Sequence, residues 1–266
     1  MAKKEVKSAP YPKGLERQFA AMAKEMIAAM ADTFENQTFK QLGKGDVEKF
    51  SDAKTGNYAN VFLGLSKKAQ RSILNRFNDD RLDKIVKDFL NKVNKANQKS
   101  TYESAVSALG IDSKALIAKE ALTPEFNALT AETQVWIKKL RDETLEQFQA
   151  NSLRAMTMGL DLDGVIGEFD LVKSKRKNAA ELTARTQIAS YNGLATKLRA
   201  QNLGITQAVW VTARDERARQ CHKVRDGKVY DLDTGLFSSC DGKTLYPGTD
   251  FNCRCTSKNI IETGEV

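Results

Sequence analysis

Apolar side chains at three- and four-residue steps dominate the first two-thirds of the chain, a spacing that gathers them on one face of a helix. Phe19, Met22, Met26, Met30 and Phe34 form one such stripe. It reads as a core-facing surface rather than as a cluster of methionine ligands. Leu82, Ile85, Phe89 and Val93 form a second stripe, on a helix over 81–93 whose opposite face is rich in lysine. Residues 67–77 predict the helix before it, joined through Asn78, Asp79 and Asp80. Thr123 is placed to cap a further helix and Pro124 suits its first turn. That helix is expected to run, with a break, to Met156. Asp161, Asp163 and Gly164 resemble the opening of a calcium loop. The third carboxylate and the glutamate at the twelfth position are missing, so the stretch predicts a turn and the start of a short helix. A last long helix is predicted from about Asn178 to Asn202, with Gly204 as its stop signal.

Beyond Gly204 the helical period ends. Thr206–Thr212 has the β-branched and aromatic content of a strand. Asp226 and Gly227 predict a turn before a second strand over Lys228–Leu232. Residues 213–224 read as loop or a short helical turn, and the chain after 232 as glycine- and aspartate-rich loop. The expected fold class is therefore mainly α, with helical N-terminal and middle regions and a small α+β module at the C-terminal end. The boundaries read as 1–14, a flexible arm carrying Pro10, Pro12 and Gly14 among lysines; 15–122, a basic helical region; 123–203, a second helical region; and 204–266, the small module. Residues 43–50 contain glycines and a lysine without the spacing of a phosphate-binding loop, and read as a loop.

Composition supports a soluble globular chain, at 41% hydrophobic and 29% charged residues over 266 positions. No apolar run reaches the length that crosses a bilayer, so no membrane segment is expected. The first residues carry positive charge without an apolar stretch behind it, which is unlike a signal peptide and points to the cytoplasm. Thiols stay reduced there, so clustered cysteines favour a metal over disulfides. The net charge of +8 is uneven. Residues 1–110 hold 20 basic and 13 acidic side chains, whereas the remainder is nearly balanced. A solvated lysine-rich surface is the plain reading of that excess, and contact with nucleic acid or an acidic protein the functional one.

All four cysteines, Cys221, Cys240, Cys253 and Cys255, lie beyond residue 220 with the single histidine, His222. Zinc takes four thiolate or imidazole ligands in a tetrahedron. It also stabilises small modules that bury little apolar area. Residues two apart on an extended segment face the same side, so Cys253 and Cys255 can aim at one ion while Arg254 points away. His222 is the third candidate ligand. Cys240 and Cys221 are candidates for the fourth position, Cys221 only if the chain bends beside His222. The alternative is a set of buried thiols beside a satisfied histidine. A disulfide between Cys253 and Cys255 is disfavoured by geometry.

One histidine excludes an HExxH metalloprotease and any two-histidine site. Cys221 and His222 are neighbours that would rarely face each other as a nucleophile pair. Asp215, Glu216 and Asp226 offer carboxylates for acid–base chemistry. Turn capping and salt bridges with Arg217 and Arg219 are their structural reading. No catalytic constellation stands above its structural alternative, and the chain is not expected to be an enzyme.

The run from Trp210 to Tyr230, followed by Tyr246–Cys255, closely resembles the C-terminal module of phage minor head proteins of the Mu F-like head-morphogenesis family. The matching positions are Trp210, Asp215, Arg217, His222, Asp226, Gly227, Pro247, Cys253, Arg254 and Cys255. The preceding helix, with Ala184, Arg185 and Thr186 at its centre, is similar to the family's Ala-Arg-Thr helix. The resemblance covers about Pro124 to Ile261, which makes residues 123–203 the helical part of a head-morphogenesis domain. Many members carry Cys-x-x-Cys where this chain has Arg219 and His222, so one cysteine ligand is absent. The resemblance implies a minor capsid protein in the virion head interior, present in the host cytoplasm during assembly. It implies action in the procapsid near the portal, in head assembly and DNA packaging or delivery. Portal and capsid or scaffold proteins would be its partners, with packaged double-stranded DNA against the basic N-terminal half. The alternatives are a sequence-independent DNA-binding protein and a toxin-like effector carrying the same module.

Overall fold

The computed structural model describes residues 2–42, 55–110, 117, 120 and 122–263. The loop read at 43–50 lies outside them. The described residues are mainly α, with a small α+β module at the C-terminal end. Five long helices, α1 (Lys13–Gln37), α2 (Thr55–Arg76), α3 (Asp79–Leu109), α4 (Thr123–Thr157) and α5 (Leu162–Asn202), precede one short helix, α6 (Gln220–Arg225). The strands are β1 (Ala2–Lys7), β2 (Gln207–Val211), β3 (Val229–Asp231), β4 (Leu236–Ser238), β5 (Lys243–Leu245) and β6 (Thr256–Thr263).

The chain forms two compact units. One comprises Met1–Phe19, Val86–Thr133 and Ala184–Val266, the other Ala20–Ile85 and Gln134–Thr183. The core of the second unit is aromatic. The Phe34 ring lies 6.1 Å from Phe39, 6.2 Å from Phe62, 5.7 Å from Phe148 and 5.6 Å from Phe169. All five rings are buried, and large buried rings contribute most per residue to a core. The junction between α2 and α3 is fastened by polar groups. Asn78 Oδ1 accepts the Arg81 N–H at 2.9 Å, capping α3. The buried Arg141 donates to the Phe77 carbonyl at 2.9 Å and to Asp79 at 2.7 Å.

α4 is unbroken, and α5 begins sixteen residues before the predicted start near Asn178. Asp161 explains the early start. Its Oδ1 accepts the Gly164 N–H at 2.9 Å, which is an N-cap rather than a calcium ligand. Replacing Asp161 with Ala should cost ~1 kcal/mol, read as a small fall in melting temperature. α5 stops as expected at Gly204, whose φ is +73°. The Ile205 N–H bonds the Ala200 carbonyl at 3.0 Å and the Gly204 N–H bonds Gln201 at 2.9 Å, the paired bonds of a Schellman cap.

In the first unit a four-stranded antiparallel sheet has the order β1-β6-β2-β3. Residues 2–7, read in the sequence as part of a flexible arm, are its edge strand, with Lys4 opposite Ile261 and Val6 opposite Asn259. Val6, Ser8 and Ala9 are buried, and the Ser8 hydroxyl donates to Asn259 Oδ1 at 3.4 Å. The partner strand lies some 250 positions away, out of reach of any local pattern. Trp210, Tyr230, Leu232, Ile205, Ala200, Ile261, Cys253 and Cys255 form the buried cluster beneath the sheet. The segment after 232, expected to be all loop, contains the β4–β5 hairpin and β6.

Candidate metal centre

Three segments of the first unit converge on Trp210, which is fully buried in β2. The first is α6. Its buried Arg225 holds Asp241 through two hydrogen bonds of 2.9 and 2.8 Å, and the Lys243 carbonyl at 2.8 Å. The guanidinium lies 5.4 Å over the Trp210 ring. A tight turn follows, with Asp226 at φ −56°, ψ 130° and Gly227 at φ +76°. The Lys228 N–H returns to the Arg225 carbonyl at 3.0 Å, the geometry of a type II turn that calls for glycine in third place. The Asp226 carboxylate accepts the Thr212 N–H at 2.8 Å. These contacts fix α6 and turn His222 toward Trp210, ring centroids 5.8 Å apart.

The second segment is Cys253-Arg254-Cys255. Both sulfurs are buried, while Arg254 turns the other way to bond Asp215 at 2.6 Å. Cys253 Sγ and Cys255 Sγ each lie 3.4 Å from His222 Nδ1. The third segment is the turn before it, which supplies Asp250. Asp250 Oδ2 lies 3.1 Å from His222 Nε2 and accepts from Arg219 at 2.6 Å. Lys243 Nζ is 3.6 Å from the other oxygen. α5 holds this turn in place. The Thr186 hydroxyl accepts the Asn252 N–H at 2.9 Å, and Arg185 donates to Asn252 Oδ1 at 2.9 Å.

The electrostatics of the trio follow from its hydrogen bonds. The bond from Cys255 pulls the Cys253 thiol well below its ordinary range, against burial and with help from His222. The same bond, seen from Cys255, pushes that thiol up, and burial adds to it. The Cys253 hydrogen bond raises His222 against its burial. Burial raises Asp250, but the bond to His222 and the Arg219 charge outweigh it and hold the carboxyl below its ordinary value. With Asp250 accepting from Nε2–H, Nδ1 is the ring nitrogen that faces the two sulfurs. That is the carboxylate–histidine arrangement found behind metal ligands.

The donor set fits a metal ion. Zinc–sulfur and zinc–nitrogen bonds at a tetrahedral angle place sulfur and nitrogen about 3.5 Å apart. Among the described residues, the cluster able to hold an ion is His222, Cys253 and Cys255. Of the five residues read as ligands, Cys221 and Cys240 are drawn elsewhere, joined to each other in a disulfide. Their Cα atoms lie 5.4 Å apart, a distance a disulfide spans without distortion. The expectation that clustered cysteines favour metal over disulfides therefore does not hold for Cys221 and Cys240, while Cys253 and Cys255 are free, buried thiols.

The remaining motif residues act as supports. Asp215 pairs with Arg254, and Asp226 with Thr212 N–H and, at 3.4 Å, Arg214. Arg219 pairs with Asp250 rather than with Asp215 or Asp226, and Arg217 is exposed. Asp215, Glu216 and Asp226 do share a cleft of about 440 Å³ with Thr212, Arg214 and Lys223. Asp250 and Arg219 carry no signal as a pair in the sequence, being 31 positions apart.

A relative from Haemophilus influenzae, described as an uncharacterized protein, is 28% identical over 237 residues, covering 85% of this chain and 52% of its own. The chain thus spans about half the length of that curated relative. No solved structure matches it. The family model described as Phage Mu protein F like protein matches residues 134–258, a span that takes in most of α4, all of α5, the disulfide and the His222–Cys253–Cys255 centre. Over those residues the chain is similar to the Mu F-like proteins, as the resemblance in its sequence implies.

Proposed function

We propose that this chain is a minor head protein of a tailed phage, acting in the procapsid near the portal in head assembly and DNA packaging or delivery. The match of residues 134–258 to the Mu F-like family carries the reading. Portal and capsid or scaffold proteins are the partners it calls for. Contact with packaged DNA has physical support on α3, where Lys84, Lys87, Lys92, Lys95 and Lys99 are all exposed. Quantitative mass spectrometry of purified particles tests the assignment. A small, reproducible ratio of this chain to the major capsid protein is expected. Absence from both procapsids and mature heads overturns it.

Within that role, Cys253, Cys255 and His222 hold zinc as a structural ion, with Asp250 orienting the imidazole. The ion supplies cross-linking of the segment leading into β6 to α6, in a module too small to rest on apolar burial alone. Ligands bind deprotonated. Cys253 is already held toward thiolate, whereas Cys255 and His222 are held toward their protonated forms. Zinc binding near neutral pH should therefore release at least the Cys255 proton for each ion, and affinity should rise with pH. Calorimetry in buffers of different ionisation enthalpy measures that number.

A further inference from the structure

The two cysteine pairs differ in exposure. Cys253 and Cys255 are buried free thiols, whereas Cys240 is exposed and Cys221 half-buried. The Cys221–Cys240 bond joins α6 to the β4–β5 hairpin across 19 positions. The same junction is held by the Arg225 bonds to Asp241 and to the Lys243 carbonyl. The two sulfurs are thus brought together by contacts that do not need the bond. Exposed disulfides are the ones that exchange with soluble thiols, and a bacterial cytosol keeps such pairs reduced.

We propose that Cys221 and Cys240 are a site of reversible thiol oxidation, a clasp closed by low-molecular-weight disulfides such as glutathione disulfide. The Cys240 thiolate attacks one sulfur of glutathione disulfide and releases one glutathione thiolate. The Cys221 thiolate then attacks the Cys240 sulfur, breaks its bond to glutathione and releases the second. The two cysteines give up two electrons and two protons, which leave on two molecules of glutathione. Closure pins the hairpin against the helix in which the next residue is His222. That hairpin carries Lys243, which faces Asp250, so the closed clasp holds the metal centre's orienting carboxylate in place. This last consequence rests on the zinc reading; the thiol exchange does not.

The full chain, loaded with zinc and equilibrated in glutathione buffers from cytosolic to oxidising poise, is quenched, denatured and alkylated. Intact mass and peptide mapping should show four alkylated cysteines at the reducing end. At the oxidising end two should remain, Cys253 and Cys255. Zinc transfer to a chromophoric chelator should be about tenfold slower from the closed form, the size of effect that outer-shell supports have on metal sites. Cys240→Ser should bind zinc and release it at the open-form rate in every buffer. A bond that survives the most reducing buffer, a bond that never forms, oxidation of Cys253 and Cys255 instead, or equal release rates each overturn the clasp. Failure of the protein to bind zinc in any buffer overturns the metal reading alone, and the thiol count then decides the exchange.

Discussion

Cys253→Ser should strip zinc from the protein and unfold the small module while the aromatic core around Phe34 stays folded. A serine hydroxyl does not replace a thiolate at neutral pH, so the site falls to one sulfur and one imidazole. Loss of outer-shell partners already costs 10–100-fold in affinity, so removing a ligand should exceed about 100-fold. The folding energy supplied by the ion goes with it. The buried cluster around Trp210 includes both sulfurs, and that cluster loses its anchor. The measurement is metal content after dialysis, together with the near-ultraviolet signal of Trp210 and the far-ultraviolet helix signal. The helix signal should be largely kept and the tryptophan signal lost. Stoichiometric zinc retained by Cys253→Ser would sink the assignment. Asp250→Asn is the companion variant, expected to weaken binding by about 10–100-fold without abolishing it.

Gly193→Ala should destabilise the protein, although the same change in an open helix would stabilise it by ~1 kcal/mol. A Cβ at Gly193 would lie 2.2 Å from the Pro247 carbonyl oxygen, backbone against backbone. The approach is reciprocal: at Gly248, where φ is +91°, a Cβ would lie 2.6 Å from the Ala189 carbonyl. The turn at 246–249 therefore sits directly on α5, and it leads straight into Asp250. Overpacking of this kind costs ~3 kcal/mol at the upper end of its usual range. A fall in Tm of roughly 5–10 °C is expected, with weaker zinc binding because Asp250 is carried outward. An unchanged or higher Tm would show that the turn does not rest on the helix.

Legibility in the sequence followed the range of the interaction. The stripe from Phe19 to Phe34, the joint at Asn78 and the Gly204 stop are set within a few residues, although the helix after the joint already takes in Asp79 and Asp80, which the pattern leaves in the connection. Asp161 was visible but ambiguous, since a carboxylate before glycine suits a cap and a metal loop alike. The extended Cys253–Cys255 segment and its outward Arg254 followed from strand geometry. What stayed hidden depends on distant partners. Asp250 gains its place only when the turn on Gly193 brings it to His222. Cys221 and Cys240 have the residue types of ligands, and it is the α6–hairpin junction that draws them to each other. β1 reads as an arm because lysines and prolines surround it and only β6 gives it a strand's partner.

That last pairing sets a timetable. Lys7 stands opposite Lys258, so β1 leaves the ribosome long before its partner exists. At 5–20 residues per second, about 13–50 seconds of synthesis separate the two. Through that interval a lysine-rich strand has no sheet to join, and the module that bears the cysteines and His222 is still being made. Sheet completion, and with it the proposed thiol exchange and metal capture, must therefore wait for the residues around β6, and a nascent chain stalled before β6 would expose β1 to whatever else could pair with it.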